Sequence, residues 1–384
     1  MGYWKGKYVI GLTGNIGTGK SVVRRMLEHL GAYGIDADAL AHRAIANDAP
    51  GYKPLVENFG KWILDDNGQI DRARLGRVVF SDPEALKLLE SIVHPLVRQA
   101  IDFLIKRSKQ PVIVIEAIKL LEVGYGEQVD AIWVTTSETK TQISRLMRTR
   151  NMPESEARQR ITVQGKADDK IKAASLVIKN DSNMENVWNQ VVKGWKTFVK
   201  PPSSEPEPGK TAPLKQSTLK EDKLVVLRGG PRQSADIVAI LNRLSPSGKK
   251  ITREDIMTAF GEKAYLLLQM GQNLIGVIGW QVENLVARTT DIVLDPEVSL
   301  EKAIPVLVAE MEKASRDLQC EASLIFVSPE LANHENLWNQ LGYERRAIES
   351  LGVVAWQEAA RETMTEGAVM LFKKLRQDRI LRPI

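Results

Sequence analysis

The sequence predicts two folded units of different class: an α/β unit on a parallel sheet, then an α+β unit on a largely antiparallel one. Three observations predict this. Short apolar runs alternate with helical stretches through the first half. A glycine-rich loop ending in Lys-Ser separates the first apolar run from the first helix. A tract rich in Pro, Ser and charge begins at residue 200, and the pattern beyond it turns to hairpins.

The first strand is the apolar run 8–12, suited to burial on both faces. Residues 20–30 follow with helical spacing, Val22, Val23, Met26, Leu27 and Leu30 sharing one broad face. Further buried strands are expected at 111–115, 131–135 and 176–178, with helices over 84–107 and 138–149 between them. Strands separated by helices imply a parallel sheet covered on both faces. In the second half, 264–269 and 274–280 flank Met270-Gly-Gln-Asn273, a hairpin signal. Strands at 290–294 and 323–327, an amphipathic helix over 300–318 and a short helix ending at Gly342 complete that unit. The polar tract 200–222 reads as a linker, which sets domains at 1–199 and 223–384.

At 384 residues the chain has room for two or three domains. Its 43% hydrophobic and 26% charged residues exclude wholesale disorder. The net charge of +5 permits phosphate ligands but does not call for nucleic acid. Cys320 is the only cysteine and reads as a buried hydrophobe; the four histidines show no metal-ligand spacing with it. No apolar run reaches the ~18 residues of a membrane span, and residues 1–7 lack the apolar core of a signal peptide. The expectation is a cytoplasmic protein with no membrane and no nucleic-acid partner.

The motif Gly14-Asn-Ile-Gly-Thr-Gly19-Lys20-Ser21 satisfies G-x-x-x-x-G-K-[ST] in strand–loop–helix context. Glycines allow successive N–H groups to wrap a phosphate, and the following helix turns its positive end to the anion. Lys20 supplies a point charge, and the Ser21 hydroxyl is a candidate Mg²⁺ ligand. The motif implies nucleotide binding and a P-loop NTPase three-layer sheet. It does not choose between ATPase, GTPase and kinase. The next carboxylates, Asp36 and Asp38, follow a very short apolar segment. An Asp there suits acceptance of a proton from an incoming hydroxyl. Asp38 also suits an N-cap for a helix over 39–46.

Further motifs occur in order: Ile35-Asp-Ala-Asp38 with His42, Asp66-Asn-Gly-Gln-Ile-Asp-Arg72, His94-Pro95, Leu120-Leu-Glu122, Gln142-Ile-Ser-Arg145-Leu-Met147, Gln164 and Val177-Ile-Lys-Asn180. With the glycine-rich loop they resemble the dephospho-CoA kinase family over about residues 8–197. The resemblance implies a kinase with a helical lid that phosphorylates the ribose 3′-hydroxyl of dephospho-CoA with ATP and Mg²⁺. It implies Asp38 as catalytic base, with Asp36 orienting it or helping to organise Mg²⁺, and Lys20 and Arg145 acting on the phosphates. ATP would meet Gly14, Gly17, Thr18, Gly19, Lys20, Ser21, Val22, Arg148 and Asn180; dephospho-CoA would meet Asp36, His42 and Arg72. The family's Asp-x-Pro-Leu-Leu-Phe-Glu is here Glu116-Ala-Ile-Lys-Leu-Leu-Glu122. Thr149 stands where the family carries a second lid arginine, between Arg148 and Arg150.

The second half, with Asn336-Leu-Trp-Asn-Gln-Leu-Gly-Tyr343, resembles GNAT-type N-acetyltransferases over about 223–375. Members that transfer acetyl groups carry a glycine-bearing pyrophosphate loop after the central strand. Here that stretch reads Asp295-Pro-Glu-Val-Ser-Leu-Glu301, without glycine and with three acids. Pro296 lacks an N–H, and the acids repel a pyrophosphate. A degenerate GNAT-like unit of other use is expected, with Ser299 capping the next helix and Trp280, Trp338 and Trp356 in the core.

Overall fold

The structure is a computed structural model that describes residues 2–79, 81–164, 167–199, 224–244 and 250–376, apart from the side chain of Arg150. The expected linker 200–222 lies outside the described residues.

The first half is built on five parallel strands in the order β2-β3-β1-β4-β5. They are β1 (Tyr8–Thr13), β2 (Tyr33–Asp36), β3 (Val112–Glu116), β4 (Ala131–Thr136) and β5 (Leu176–Lys179). β1 lies at the centre, paired with β3 on one side and β4 on the other. Its side chains alternate between two cores, as the two-residue period of a strand requires. Val9 joins Ile35, Leu40, Ile101, Leu104, Ile113 and Ile115 on one face. Ile10 and Leu12 join Val23, Met26, Leu27, Trp133 and Val191 on the other.

The helices covering these faces follow from that alternation. α1 (Lys20–His29) and, late in the half, α9 (Met184–Phe198) cover the second face. α2 (Ala37–Ala44), α3 (Tyr52–Phe59), α4 (Arg72–Val79) and α5 (Pro83–Arg107) stand over the first. Pro95 sits inside α5, which continues past it. α6 (Thr139–Arg150), α7 (Glu154–Gln164) and α8 (Asp168–Ala173) lie between β4 and β5. Ile143, Leu146 and Met152 pack there with Ala157 of α7 and with Ile16 of the glycine-rich loop. The expected three-layer parallel sheet with a helical lid segment is therefore present.

The second half holds a seven-stranded sheet in the order β11-β12-β10-β9-β8-β7-β6. Its elements in chain order are β6 (Leu224–Gly229), α10 (Ser234–Leu244), α11 (Arg253–Ala259), β7 (Ala264–Met270), β8 (Asn273–Glu283) and β9 (Val286–Leu294). There follow α12 (Leu300–Asp317), β10 (Ala322–Val327), α13 (Pro329–Ala332), α14 (Glu335–Gln340), β11 (Glu344–Arg345), α15 (Val354–Thr363) and β12 (Val369–Lys374). Every named pair is antiparallel except β9 with β10, which pair only from Val286–Thr289 to Ala322–Ile325. α12 packs Ile304, Leu307 and Met311 against one face. α10, α11 and α15 cover the other.

Cys320, Trp338 and Trp356 are buried, as expected, and Trp280 is half-buried against the α12 core. Ser299 departs from expectation. It occupies the N-cap position of α12, but its hydroxyl makes no cap bond and donates instead to Glu301 at 3.0 Å. The nearby carboxylate outcompetes the backbone for it.

The two halves touch. Leu285 and Leu318 of the second pack on the core of the first, and Met184 and Trp188 of α9 reach the core around α10 and α11.

Candidate active site

The loop 14–19 lies beyond the carboxyl end of β1, with β3 and β2 to one side and β4 and β5 to the other. In an open parallel sheet this is where ligands settle. Gly14 and Gly19 have φ of +148° and +86°. A Cβ on Gly14 would collide with the Thr135 carbonyl oxygen, and one on Gly19 with the Asn180 amide. Only glycine fits either position.

Side chains fix the loop from beneath. Thr18 Oγ1 donates to the Asn15 carbonyl at 2.8 Å and pairs with Thr135 Oγ1 at 2.8 Å. Asn180, at the end of β5, donates its Nδ2 to the Thr18 carbonyl at 2.9 Å. Gln164, the last residue of α7, accepts the Ile16 N–H at 2.7 Å. Arg145 ties α6 to the same place. It donates to Ser137 Oγ at 3.0 Å, to the Asn180 carbonyl at 2.7 Å and to the Gly17 carbonyl at 3.3 Å. Of the two lid arginines whose side chains are described, Arg145 reaches the loop and Arg148 is exposed. Lys20 is buried, and its Nζ reaches back to the Asn15 carbonyl at 3.4 Å.

Three carboxylates stand across from the loop. Asp36 and Glu116 are register partners at the ends of β2 and β3. Asp36 is the N-cap of α2, accepting the Ala39 N–H at 2.9 Å. The capping role considered for Asp38 thus belongs to Asp36, because α2 begins two residues earlier than the helical pattern suggests. Asp38 is freed for other work. It sits half-buried in the first turn, where its Oδ2 accepts the Ile118 N–H at 3.2 Å. Glu116 accepts Ser21 Oγ at 2.7 Å on one oxygen and Arg24 Nε at 2.7 Å on the other.

Their acidities separate accordingly. Burial pushes Asp36 up to about 6, with the Glu116 charge adding to it and Arg24 opposing. Burial also raises Asp38, against the pull of Lys20. Burial pushes Glu116 upward too, but Arg24 and Lys20 outweigh it and hold that carboxyl below its ordinary value.

Two candidates have side chains engaged with the rest of the protein. The Val22 side chain turns away from any phosphate; it belongs to the sheet core and abuts Gly261 of the second half. An apolar isopropyl group has no interaction to offer an anion, so only its backbone is left for ATP. Arg72 extends to Glu358 of the second half at 3.8 Å, both side chains about half exposed. Its charge still reaches His42, which burial first, and then Arg72, hold below the ordinary histidine value. Lys119, in the stretch where the sequence departs from the family's Asp-x-Pro-Leu-Leu-Phe-Glu, pairs with Glu90 at 3.0 Å.

The sequence profile of dephospho-CoA kinases matches residues 8–186. A dephospho-CoA kinase from Geobacter metallireducens is 41% identical over 194 residues, 50% of this chain and 96% of that one. The chain belongs to the dephospho-CoA kinase family. The Aquifex aeolicus dephospho-CoA kinase is 37% identical over 194 residues, 50% of this chain and 98% of that one. Among solved structures, dephospho-CoA kinase from Campylobacter jejuni shows 27% identity and a TM-score of 0.37, covering 50% of this chain and 96% of its own. An N-acetyltransferase from Thermoplasma acidophilum, crystallised with coenzyme A, shows 12% identity and a TM-score of 0.31, covering 40% of this chain and 99% of its own.

Within this dephospho-CoA kinase the sequence left three neighbours of the site unremarked or without a role. Lys170 of α8 donates to the Ile118 carbonyl at 2.8 Å, and its charge acts on Asp38. Arg24 is the buried partner of Glu116. Gln164 holds the loop itself. Arg24 lies four residues beyond Lys20, so helical spacing alone puts it one turn along the same face. Lys170 had no such signal, because α8 meets the end of β3 only through the fold.

Proposed function

We propose that the chain transfers the γ-phosphoryl group of ATP to the ribose 3′-hydroxyl of dephospho-CoA, giving CoA and ADP. One observation carries this reading: the half-buried Asp38 is held at the end of β3, its Oδ2 accepting the Ile118 N–H at 3.2 Å, with the loop lysine Lys20 buried and its charge opposing the burial that raises the Asp38 carboxyl. In the proposed step the acceptor oxygen forms a bond to γ-phosphorus as the bond to the ADP oxygen breaks. The hydroxyl proton passes to Asp38. Lys20, the loop N–H groups and Arg145 offset the charge on the equatorial oxygens. Asp36 caps α2 and so orients Asp38, while His42, one turn further along α2, would contact the acceptor's ribose.

The donor set suits Mg²⁺. Ser21 Oγ and the Glu116 carboxylate offer hard oxygens side by side. Among the described residues no three His, Cys, Asp or Glu side chains group to cage a metal alone. The ion would therefore share its coordination with the nucleotide's phosphates, as Mg²⁺ commonly does. When bound, it would neutralise phosphate charge.

We keep the domain limits 1–199 and 223–384, joined by a linker, and a cytoplasmic setting as parts of this reading. Among the described residues no helix is long and apolar enough to cross a membrane. Acetyl transfer by the second half is not part of it. The loop after β9 uses its N–H groups internally: Glu297 donates to Asp295 Oδ1 at 3.2 Å and Val298 to the Asp295 carbonyl at 3.0 Å.

The experiment is incubation of the full chain with ATP, Mg²⁺ and dephospho-CoA, with mass spectrometry of the product. Equimolar CoA and ADP are expected. ADP formed without CoA would make the chain an ATPase and overturn the reading.

A further inference from the structure

The two helices that open the site also carry the seam between the halves. α1 holds Lys20 and Ser21 at its start. Further along it, Arg25 faces Glu283 at 4.0 Å, and His29 Nε2 lies 3.0 Å from the Phe260 carbonyl oxygen. α2 holds Asp38 in its first turn. In its last turn Arg43 donates to the Asn284 carbonyl at 2.9 Å and to the Glu321 carboxylate at 2.7 Å. The Arg43 and Glu321 side chains are 8% and 1% exposed. This is a buried ion pair across the seam, not a surface contact.

Glu283, Asn284 and Leu285 end β8 and turn the chain into β9, so one hairpin turn touches both helices. Asn284 and Leu285 have φ of +50° and +62°. Two-residue hairpin turns want this backbone, but Asn-Gly is the usual occupant and a branched leucine is costly there. The cost has a visible counterpart. The Leu285 side chain packs on the core of the first half, the core that also holds Leu40 and Ala44 of α2. Strain of this kind persists where surrounding structure enforces it, and it clusters at functional places.

We propose that the β8–β9 turn and Glu321 form a clamp by which the second half fixes the spacing of α1 and α2. Arg43, Leu285 and Glu321 are then positioning residues for phosphoryl transfer. The proposal rests on the reading of Asp38 as base. Its physical ground is that this chemistry depends on placement: the acceptor oxygen must sit in line with the γ-phosphorus while Asp38 stays within hydrogen-bond reach of it. α1 carries the donor's grip and α2 carries the base, and the clamp meets α1 at Arg25, midway along it, and α2 at Arg43 in its last turn. None of the three clamp residues is placed here against ATP or dephospho-CoA, so the clamp acts on the reaction and not on binding.

The test compares full-length Leu285→Gly, Leu285→Met, Glu321→Gln and Asp38→Asn with the parent chain. It records kcat, KM for both substrates and the melting curve. Glycine accepts the left-handed backbone, so Leu285→Gly keeps the turn and removes only the insert. Leu285→Gly and Glu321→Gln should each lower kcat about ten-fold, with both KM values held within about two-fold. Leu285→Met, which keeps the volume, should restore kcat to within about two-fold of the parent. A folded Leu285→Gly chain with parental kcat, or one that changes only KM, overturns the clamp. If Glu321→Gln fails to fold, Leu285→Gly decides alone. Parental kcat in Asp38→Asn removes the base instead, and does so whatever the clamp variants show.

Discussion

Asp36 and Glu116 are register neighbours at the ends of β2 and β3, yet they depart from the ordinary carboxylate range in opposite directions. Both are buried. The difference is Arg24, whose Nε lies 2.7 Å from Glu116 while Asp36 faces the backbone of α2. One site thereby holds an anion that stays ionised beside carboxyls that take up protons more readily.

The acid limb of the pH–rate profile follows from this. Asp38 must be ionised to accept a proton, and burial raises its pKa. Activity should therefore fall with pH while still above the ordinary aspartate value of about 4. Glu116 raises both Asp36 and Asp38, so Glu116→Gln should move the limb to lower pH. Profiles of kcat for the two chains check the direction. A limb that stays in place or moves upward contradicts the assignment.

Asp36 also makes a stability prediction. Its folded pKa, about 6, lies above its unfolded one, so the folded state binds the proton more tightly. Its contribution to stability is present at low pH and lost as pH rises through about 6. Asp36→Asn keeps an N-cap and removes the buried charge. It should stabilise the chain by about 3 kcal/mol at pH 8, with the gap closing towards pH 4. Denaturant titrations at the two pH values measure it.

Breaking the Arg24–Glu116 pair should act the other way. Arg24→Met leaves the Glu116 carboxylate buried without its partner, a change that costs about 3–5 kcal/mol in comparable sites. A lowered denaturation midpoint with an unchanged m-value is expected; a loss under about 1 kcal/mol would show that the pair is well hydrated.

The glycine-rich loop can be tested at one atom. Gly19→Ala places a Cβ against the Asn180 amide at a backbone φ of +86°. ATP affinity should fall at least about ten-fold with little change in the fold, since the loop lies outside the sheet. Nucleotide titration by calorimetry reads the loss.

Much of this was legible in the residues. The strand at 8–12, the loop and the helix from Lys20 are local signals, and each appears within a residue or so of its expected limits. β2 is only four residues long, and its end fixes where α2 starts. Helical patterning showed α2 from residue 39, because Ala37 and Asp38 carry no apolar period, and so the cap was open to Asp38. The partners of Glu116 and Asp38 were harder. Arg24 shares a helix face with Lys20, but its pairing depends on β3 lying beside β1 and β2. Lys170 arrives through α8, some 130 residues from Asp38 along the chain. The seam was not readable at all: Arg43 and Glu321 lie in different halves, and nothing in either local sequence names the other.

The most direct measurement of the central claim is single-turnover phosphorylation of dephospho-CoA by Asp38→Asn beside the parent chain, with ATP affinity measured in parallel. The amide keeps the size and the contact with Ile118 but cannot take the proton. Loss of about 10²–10⁴-fold in rate at unchanged ATP affinity is expected. Transfer at the parental rate would contradict it.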